Sequence, residues 1–260
     1  MIDRIKDMID SSIINQKHLD NADIIEEEYQ SNGPFPHIVL DNFLEENIAK
    51  QITEEITTDV EWISSSSAFT HVRDEDKKEL NKYYAPLPTT VSETSIERLR
   101  TNSPITYSVF KYLQTDAVSF ISKISKIDDL IGDHTFNGAG LHKITTGGKL
   151  ELHIDFNQNW MSQGLYRRVN VFIYLNENWR SSYNGFLELW NTNPWRCERK
   201  IAPIFNRAVI FNASKYSYHG HPAPITCPDY VSRYSIAQYY YTKDVNMNDD
   251  KSFRPIAFKE

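Results

Sequence analysis

The chain has 260 residues, 40% of them hydrophobic, with a formal net charge of -7 at pH 7. This length fits one domain with a sizeable core, and the acidic balance argues against a surface that neutralises nucleic-acid phosphates or anionic lipid. The sequence has no run of about 20 apolar residues and no secretory signal, and its two cysteines, Cys197 and Cys227, are too few for a disulfide framework, so we expect a cytoplasmic protein.

The first half of the chain is predicted to contain helices, a short strand and a long polar segment. Apolar residues at helical spacing indicate one or two surface helices over residues 1–30, which end at the turn signal NGPFP. HIVLDNF then predicts a short strand and LEENIAKQITEEIT a helix, and SPITYSVFKYLQTDAVSFISKISKI predicts another helical segment. Between them, residues 63–90 are polar and charged. We interpret them as a solvated excursion, with a lid over a site as the alternative.

Beyond Phe136 the apolar residues alternate with polar ones, as is typical of strands. The β-rich runs are LHKIT, KLELHID, RVNVFIYLN, GFLELW, RKIAPIF, RAVIF and RYSIAQYYYT. Turn-forming clusters such as TTGGK separate them, and no helical pattern intervenes. About seven or eight closely spaced strands predict a mainly β fold with flanking helices (α+β), an antiparallel sandwich or jelly roll covered on one side by the N-terminal helices.

The predicted organisation is a single domain. Residues 1–135 supply helical and strand segments that pack on the core, residues 136–245 form the β core, and residues 246–260 form a C-terminal tail.

The stretch LELHIDFNQNW places a histidine and an aspartate two positions apart on a predicted strand. His153 and Asp155 therefore project to the same face. A His-x-Asp pair alone is weak evidence, because chance often supplies one in a chain with eight histidines. In YSYHGHPAP, His219 and His221 share another face, and this segment is the best source of a third ligand. Two histidines and one carboxylate form the facial triad of non-haem Fe(II) oxygenases.

A later strand, RYSIAQYYYT, brings Arg233 and Ser235 onto one face. A buried arginine beside a metal pocket offers a planar fork suited to a carboxylate, and a neighbouring hydroxyl adds a hydrogen bond. An isolated arginine more often forms a surface salt bridge. Here the order His-x-Asp, then His, then Arg-x-Ser favours the carboxylate-binding interpretation.

These motifs carry a family resemblance. HID, YHGHP and RYSIAQYYYT, together with GAGLHKITTGGKLELH, RRVNVFIYLN and PIFNRAVIF, resemble the Fe(II)/2-oxoglutarate-dependent oxygenases of the prolyl 4-hydroxylase-like branch. The likeness is close over residues 136–242, and PFPHIVLDNFL at 34–44 looks like the first strand and helix of that family.

The resemblance implies a double-stranded β-helix with a defined set of site residues. His153, Asp155 and His219 would bind iron, and Arg233 would bind the far carboxylate of 2-oxoglutarate. It implies Fe(II), 2-oxoglutarate and O2, with ascorbate as a candidate reductant. The expected reaction hydroxylates an unactivated C–H bond and releases succinate and carbon dioxide.

Finer assignments follow from the same resemblance. His219, before Gly220, matches the distal metal ligand, which leaves His221 as a neighbouring group or pocket wall. Ser235 and Lys143 are assigned to the co-substrate, with His142 as the alternative to Lys143 in the other strand register. Related halogenases lack the metal-binding carboxylate, so Asp155 favours hydroxylation.

The substrate stays open between a small molecule and a residue in a peptide. The segment FNQNWMSQGLYRR is expected beside the entrance to the site, where Trp160, Tyr166 and one of Arg167 or Arg168 can touch a ligand. We expect neither a nucleic-acid nor a membrane partner. The main alternative function is a non-catalytic metal-binding or sensory jelly roll of cupin type, which would not need Arg233. A zinc hydrolase ranks last, because no acidic base with the spacing of a helical zinc motif is present.

Overall fold

The computed structural model describes residues 12–64, 79–85, 93–136, 139–157, 164–243 and 257–258. The α-helices within them are α1 (Gln16–Asp20), α2 (Ala22–Ser31), α3 (Glu46–Thr58), α4 (Glu93–Asn102), α5 (Pro104–Gln114) and α6 (Ala117–Ser125), and a 3-10 turn covers Ser181–Tyr183. The strands are β1 (His37–Asp41), β2 (Ile63–Ser64), β3 (Glu79–Ala85), β4 (Ile131–Gly132), β5 (Gly140–Ile154), β6 (Tyr166–Tyr174), β7 (Leu187–Thr192), β8 (Trp195–Ile201), β9 (Arg207–Asn212), β10 (Tyr218–His221), β11 (Arg233–Thr242) and β12 (Ala257–Phe258).

These strands form a double-stranded β-helix in which every described pairing is antiparallel. The main path runs β1-β9-β6-β11-β5-β10-β7-β8. The long strand β5 connects the two layers, because its first part pairs with β11 and its last part with β10. β3 pairs with β5 from Leu141 to Leu150, and β12 pairs with its last two residues, His153 and Ile154.

The side chains of strand β6 alternate between two faces of the sheet, one covered by helices and one facing the interior of the barrel. Val169, Val171 and Ile173 are buried in the same cluster as the apolar residues of α3, α5 and α6. The alternate residues Asn170, Phe172 and Tyr174 face the interior. Burial of each large aliphatic side chain contributes about 1.5–3 kcal/mol, so the helical layer stabilises the sheet that carries the site.

Several predicted elements are confirmed. NADIIEEEYQ forms most of α2, HIVLD forms β1, and α3 buries the predicted stripe at Ile48, Ile52 and Ile56. The N-terminal helices cover one side of the sheet, as expected for the jelly roll. β1 is also a member of the sheet, since it pairs with β9 over its whole length.

The TTGGK turn was predicted wrongly, because LHKIT and KLELHID are parts of the single strand β5. Gly147, with φ of 78°, lets the strand bend there. Its N–H donates to the Ile225 carbonyl, and the Ile225 N–H donates to the Gly148 carbonyl. A loop that is distant in sequence therefore supplies the hydrogen-bond partners of the backbone at Gly147 and Gly148.

Other differences lie in the helices and in one strand. The helical segment at 103–127 is two helices, because the backbone of Thr115, with φ of -124° and ψ of -78°, leaves the helical region between them. Helix α4 was not predicted, and β8 covers WRCERKI where RKIAPIF was expected. The excursion at 63–90 contains strands β2 and β3, while the rest of it, residues 65–78 and 86–90, lies outside the described residues, and so does most of the segment for which a lid was the alternative.

Among the helices of the described part of the chain, none combines the length and apolarity that crossing a membrane requires.

Candidate metal and co-substrate site

His153 and His219 meet across the strand pair β5–β10. Their Cα atoms are direct partners in the register, and their rings lie 4.5 Å apart between centroids. Asp155 follows the end of β5 on the same side of the chain. The three side chains offer ligand atoms that all lie within 4.8 Å of one another. His153 Nε2 is 3.4 Å from Asp155 Oδ1, and His219 Nε2 is 3.6 Å from Asp155 Oδ2.

Both imidazoles are held in the same way by the backbone. His153 Nδ1 lies 2.8 Å from the Glu151 carbonyl oxygen, and His219 Nδ1 lies 2.9 Å from the Ser217 carbonyl oxygen. A carbonyl accepts only from a protonated nitrogen, so each ring carries its proton on Nδ1 when neutral. The Nε2 lone pairs are then directed at the place where the carboxylate converges.

The protonation states suit a divalent metal ion. Burial lowers the pKa of His219 to about 4, so its imidazole is neutral. Burial alone would raise the pKa of Asp155, but the Arg167 guanidinium and the two histidines together hold it well below its usual range. Two imidazoles and one carboxylate match the donor set of non-haem Fe(II) sites, which leaves three coordination positions for other ligands.

Two neighbours on β6 hold the Asp155 carboxylate in place. Asn170 Nδ2 donates to Asp155 Oδ2 at 2.6 Å, and Arg167 Nη1 forms an ion pair with the same oxygen at 3.1 Å. The Arg167 guanidinium is fixed between two rings, 3.9 Å from the Phe156 centroid and 3.6 Å from the Tyr239 centroid. Both contacts engage Oδ2, so they hold the carboxylate in one orientation, as outer partners of metal ligands generally do.

Arg233 lies inside the barrel on β11 and is 4% exposed. Its Nε donates to the Gly185 carbonyl at 2.9 Å, and its Nη2 donates to the Tyr174 hydroxyl at 3.2 Å. These contacts fix the plane of the guanidinium, while burial lowers its pKa. A desolvated guanidinium of fixed orientation is suited to a carboxylate. Ser235 is also buried on this face, and it pairs with Tyr174 on one side and His142 on the other.

Lys143 does not occupy the position assigned to it. It pairs with Tyr234 on the face of β5 away from the barrel interior, and its Nζ lies 5.8 to 5.9 Å from the ring centroids of Trp62, Tyr83 and Tyr234. The register instead turns His142 inward, opposite Ser235 and in edge contact with the Tyr84 ring. This position does not favour the assignment of Lys143 to the co-substrate, and His142 takes the inward place.

The residues that were predicted to lie at the entrance have different surroundings in the structure. Arg167 is committed to Asp155, whereas Arg168 points the other way and donates to the Thr242 hydroxyl at 3.3 Å. Tyr166 begins β6, and Trp160 lies outside the described residues.

The contacts of Asn170, Tyr174 and Gly185 were not predicted. The alternation of RRVNVFIYLN contained a signal for the first two, since both fall on the face opposite the valines. Gly185 carries no local signal, because its carbonyl acts on a residue from a distant strand.

Comparisons with known proteins agree with this geometry. Residues 139–241 match the family model of the 2OG-Fe(II) oxygenase superfamily. The fold is similar to that of a prolyl hydroxylase from Trichoplax adhaerens, solved with a hypoxia inducible factor peptide fragment, at 20% identity and a TM-score of 0.53, covering 88% of this chain and 92% of that one. Curated protein sequences gave no match to this chain.

Two further structures share the fold. A prolyl 4-hydroxylase from Phytophthora capsici is 18% identical with a TM-score of 0.56, covering 94% of this chain and 71% of that one. HygX from Streptomyces hygroscopicus, solved with nickel and 2-oxoglutarate bound, is 10% identical with a TM-score of 0.51, covering 90% of this chain and 96% of that one. At these identities the likeness shows a common fold.

Proposed function

We propose that this protein is a 2-oxoglutarate-dependent dioxygenase that hydroxylates an unactivated C–H bond of a small molecule or of a residue in a peptide, with release of succinate and carbon dioxide. Its residues 139–241 match the family model of the 2OG-Fe(II) oxygenase superfamily. One observation carries the proposal. A His-Asp-His set with converging ligand atoms and the buried guanidinium of Arg233 lie inside the same barrel. The presence of Asp155 favours hydroxylation over halogenation.

The residues of the chain divide the work between the metal and the co-substrate. His153, Asp155 and His219 would hold Fe(II), which supplies the site for O2 activation coupled to 2-oxoglutarate decarboxylation. Arg233 would bind the co-substrate carboxylate, with its fork held in plane by Gly185 and Tyr174.

The surroundings of the site strengthen these interactions. The two histidines and Arg233 are all at most 5% exposed, so competing water is largely excluded. Charge interactions are stronger in such an interior than in water. Asn170 and Arg167 keep the metal-binding carboxylate from rotating, as outer partners of metal ligands generally do.

The class of substrate follows from what the basic residues can reach. Arg167 is buried against Asp155, and Arg168 is half-buried and bonds within the sheet, so neither is a fully exposed contact for a phosphate backbone. This supports a small molecule or peptide over duplex nucleic acid, which needs several lysine or arginine contacts. The fold shared with prolyl hydroxylases makes prolyl peptides one class to test. The cytoplasmic location stays a prediction from the sequence.

The test is a screen for substrate-stimulated succinate formation. The protein is supplied with Fe(II), 2-oxoglutarate, O2 and ascorbate, then with pools of amino acids, prolyl peptides, sugar nucleotides and oligonucleotides. A true substrate should raise succinate release and gain the mass of about one oxygen atom, and a His153→Ala variant should do neither. Oxygen appearing on the oligonucleotide alone would contradict the proposed substrate class. Succinate release that is unchanged in His153→Ala would contradict the proposed site.

A further inference from the structure

His221 is a buried side chain that is not one of the three candidate metal ligands. It is 3% exposed, and neither ring nitrogen has a hydrogen-bond partner on another residue in the part of the chain that the structure describes. A neutral imidazole carries one N–H donor and one acceptor, and buried polar groups of native proteins nearly always have partners. A ligand that supplies the missing partner is a physical explanation for such a group.

The strand register places His221 between the metal ligands and Arg233. Along β5, His219 pairs with His153, His221 pairs with Leu150, and Arg233 pairs with Ile144. Along β5, the position opposite His221 therefore lies between the position opposite His219 and the position opposite Arg233. The ring also lies within electrostatic reach of Arg233 and His153.

The shape of β10 turns both of its histidines inward. The pairing is irregular between His219 and His221, where two steps on β10 match three on β5. A Cβ on Gly220 would lie 2.8 Å from the backbone oxygens of Glu151 and Leu150, so only glycine allows this approach. The close approach holds His221 beside the site, although it lies two residues beyond the candidate metal ligand His219.

We propose that His221 is a co-substrate-binding residue, whose ring N–H donates a hydrogen bond to an oxygen of 2-oxoglutarate between the metal and Arg233. The inference rests on the proposed function, because it takes 2-oxoglutarate to span from the iron to the guanidinium. A five-carbon dicarboxylate has four carbon–carbon bonds of about 1.5 Å, and two residues of a strand cover roughly 6.8 Å. His221, one such step from His219, therefore lies within reach of a co-substrate that is bound at the metal.

The experiment compares His221→Leu and His221→Gln with the wild type. Tyr218→Phe serves as a control, because it removes a polar atom from the other face of the same strand. Iron content is measured first, then the dissociation constant of 2-oxoglutarate with Fe(II) in the absence of O2. The thermal unfolding midpoint is recorded with and without 2-oxoglutarate.

All of these variants should retain one iron per chain. His221→Leu should weaken 2-oxoglutarate binding about tenfold or more, because hydrogen bonds to charged groups are the stronger ones. His221→Gln keeps an N–H donor and should fall between the leucine variant and the wild type. Without 2-oxoglutarate the leucine variant should unfold no earlier than the wild type, since the imidazole it lacks had no partner. Its stabilisation by the co-substrate should be smaller.

Wild-type affinity for 2-oxoglutarate in His221→Leu would overturn the inference. So would loss of iron in that variant, or an earlier unfolding midpoint without co-substrate that matches its loss of affinity, since either shows a metal-binding or structural role. If wild-type protein loaded with iron fails to bind 2-oxoglutarate at all, the proposed function fails instead.

Discussion

Replacing Arg233 with alanine should raise the half-saturating concentration of 2-oxoglutarate by two or more orders of magnitude. The guanidinium is 4% exposed, so it is desolvated before any ligand arrives. Removing one partner of a buried charged pair typically costs about 3 to 5 kcal/mol. At about 1.36 kcal/mol for each factor of ten, this corresponds to a loss of roughly 10² to 10⁴ in affinity.

Two further variants separate charge from geometry. Arg233→Lys retains a positive charge but loses the planar fork that donates to Gly185 and Tyr174, so it should bind more tightly than the alanine variant and less tightly than the wild type. Tyr174→Phe removes a hydrogen bond that the charged guanidinium donates, an interaction worth about 1.5–3 kcal/mol, so it should weaken binding by roughly 10- to 150-fold.

The assay is calorimetric titration of 2-oxoglutarate into iron-loaded protein without O2. Iron content serves as the control, because none of these side chains is assigned to the metal. Wild-type affinity in Arg233→Ala, with iron retained, would refute the reasoning. His142, which faces inward opposite Ser235, would then be the next residue to test.

Three other substitutions probe the surroundings of the site. Asn170→Ala should weaken Fe(II) binding about 10- to 100-fold in a metal titration, since it removes the 2.6 Å hydrogen bond to Asp155, and unchanged iron affinity would contradict that role. Gly220→Ala forces a Cβ to within 2.8 Å of two backbone oxygens of β5, so denaturant unfolding should show a loss of about 1–3 kcal/mol, and full stability would show that the strands can move apart. Lys143→Gln should leave the half-saturating 2-oxoglutarate concentration unchanged, because Lys143 faces Trp62 and Tyr234, and a large rise would restore its original assignment.

The sequence predicted those features that repeat with a short period. Alternation in β6, β9 and β11 and the apolar stripe of α3 follow directly from side-chain geometry. The same rule places His153 and Asp155 on one face of the strand. The later motifs that carry the family resemblance identified His219 as the third candidate ligand.

Features that depend on distant partners were not predictable in this way. The glycines at 147 and 148 look like a turn, yet the strand continues because Ile225, far along the chain, supplies the hydrogen bonds. The side of β5 that Lys143 occupies depends on register, which alternation alone leaves open by one residue. The Gly185 carbonyl meets Arg233 only once the barrel has closed.

The most direct test of the central claim is the visible absorption spectrum of the protein with Fe(II) and 2-oxoglutarate in the absence of O2. When 2-oxoglutarate chelates an iron held at His153, Asp155 and His219, a weak visible metal-to-ligand charge-transfer band should appear. The band should saturate at one equivalent of each component. The band should be absent in His219→Ala. Wild-type protein that binds one iron but shows no band on addition of 2-oxoglutarate, or an undiminished band in His219→Ala, would contradict the account.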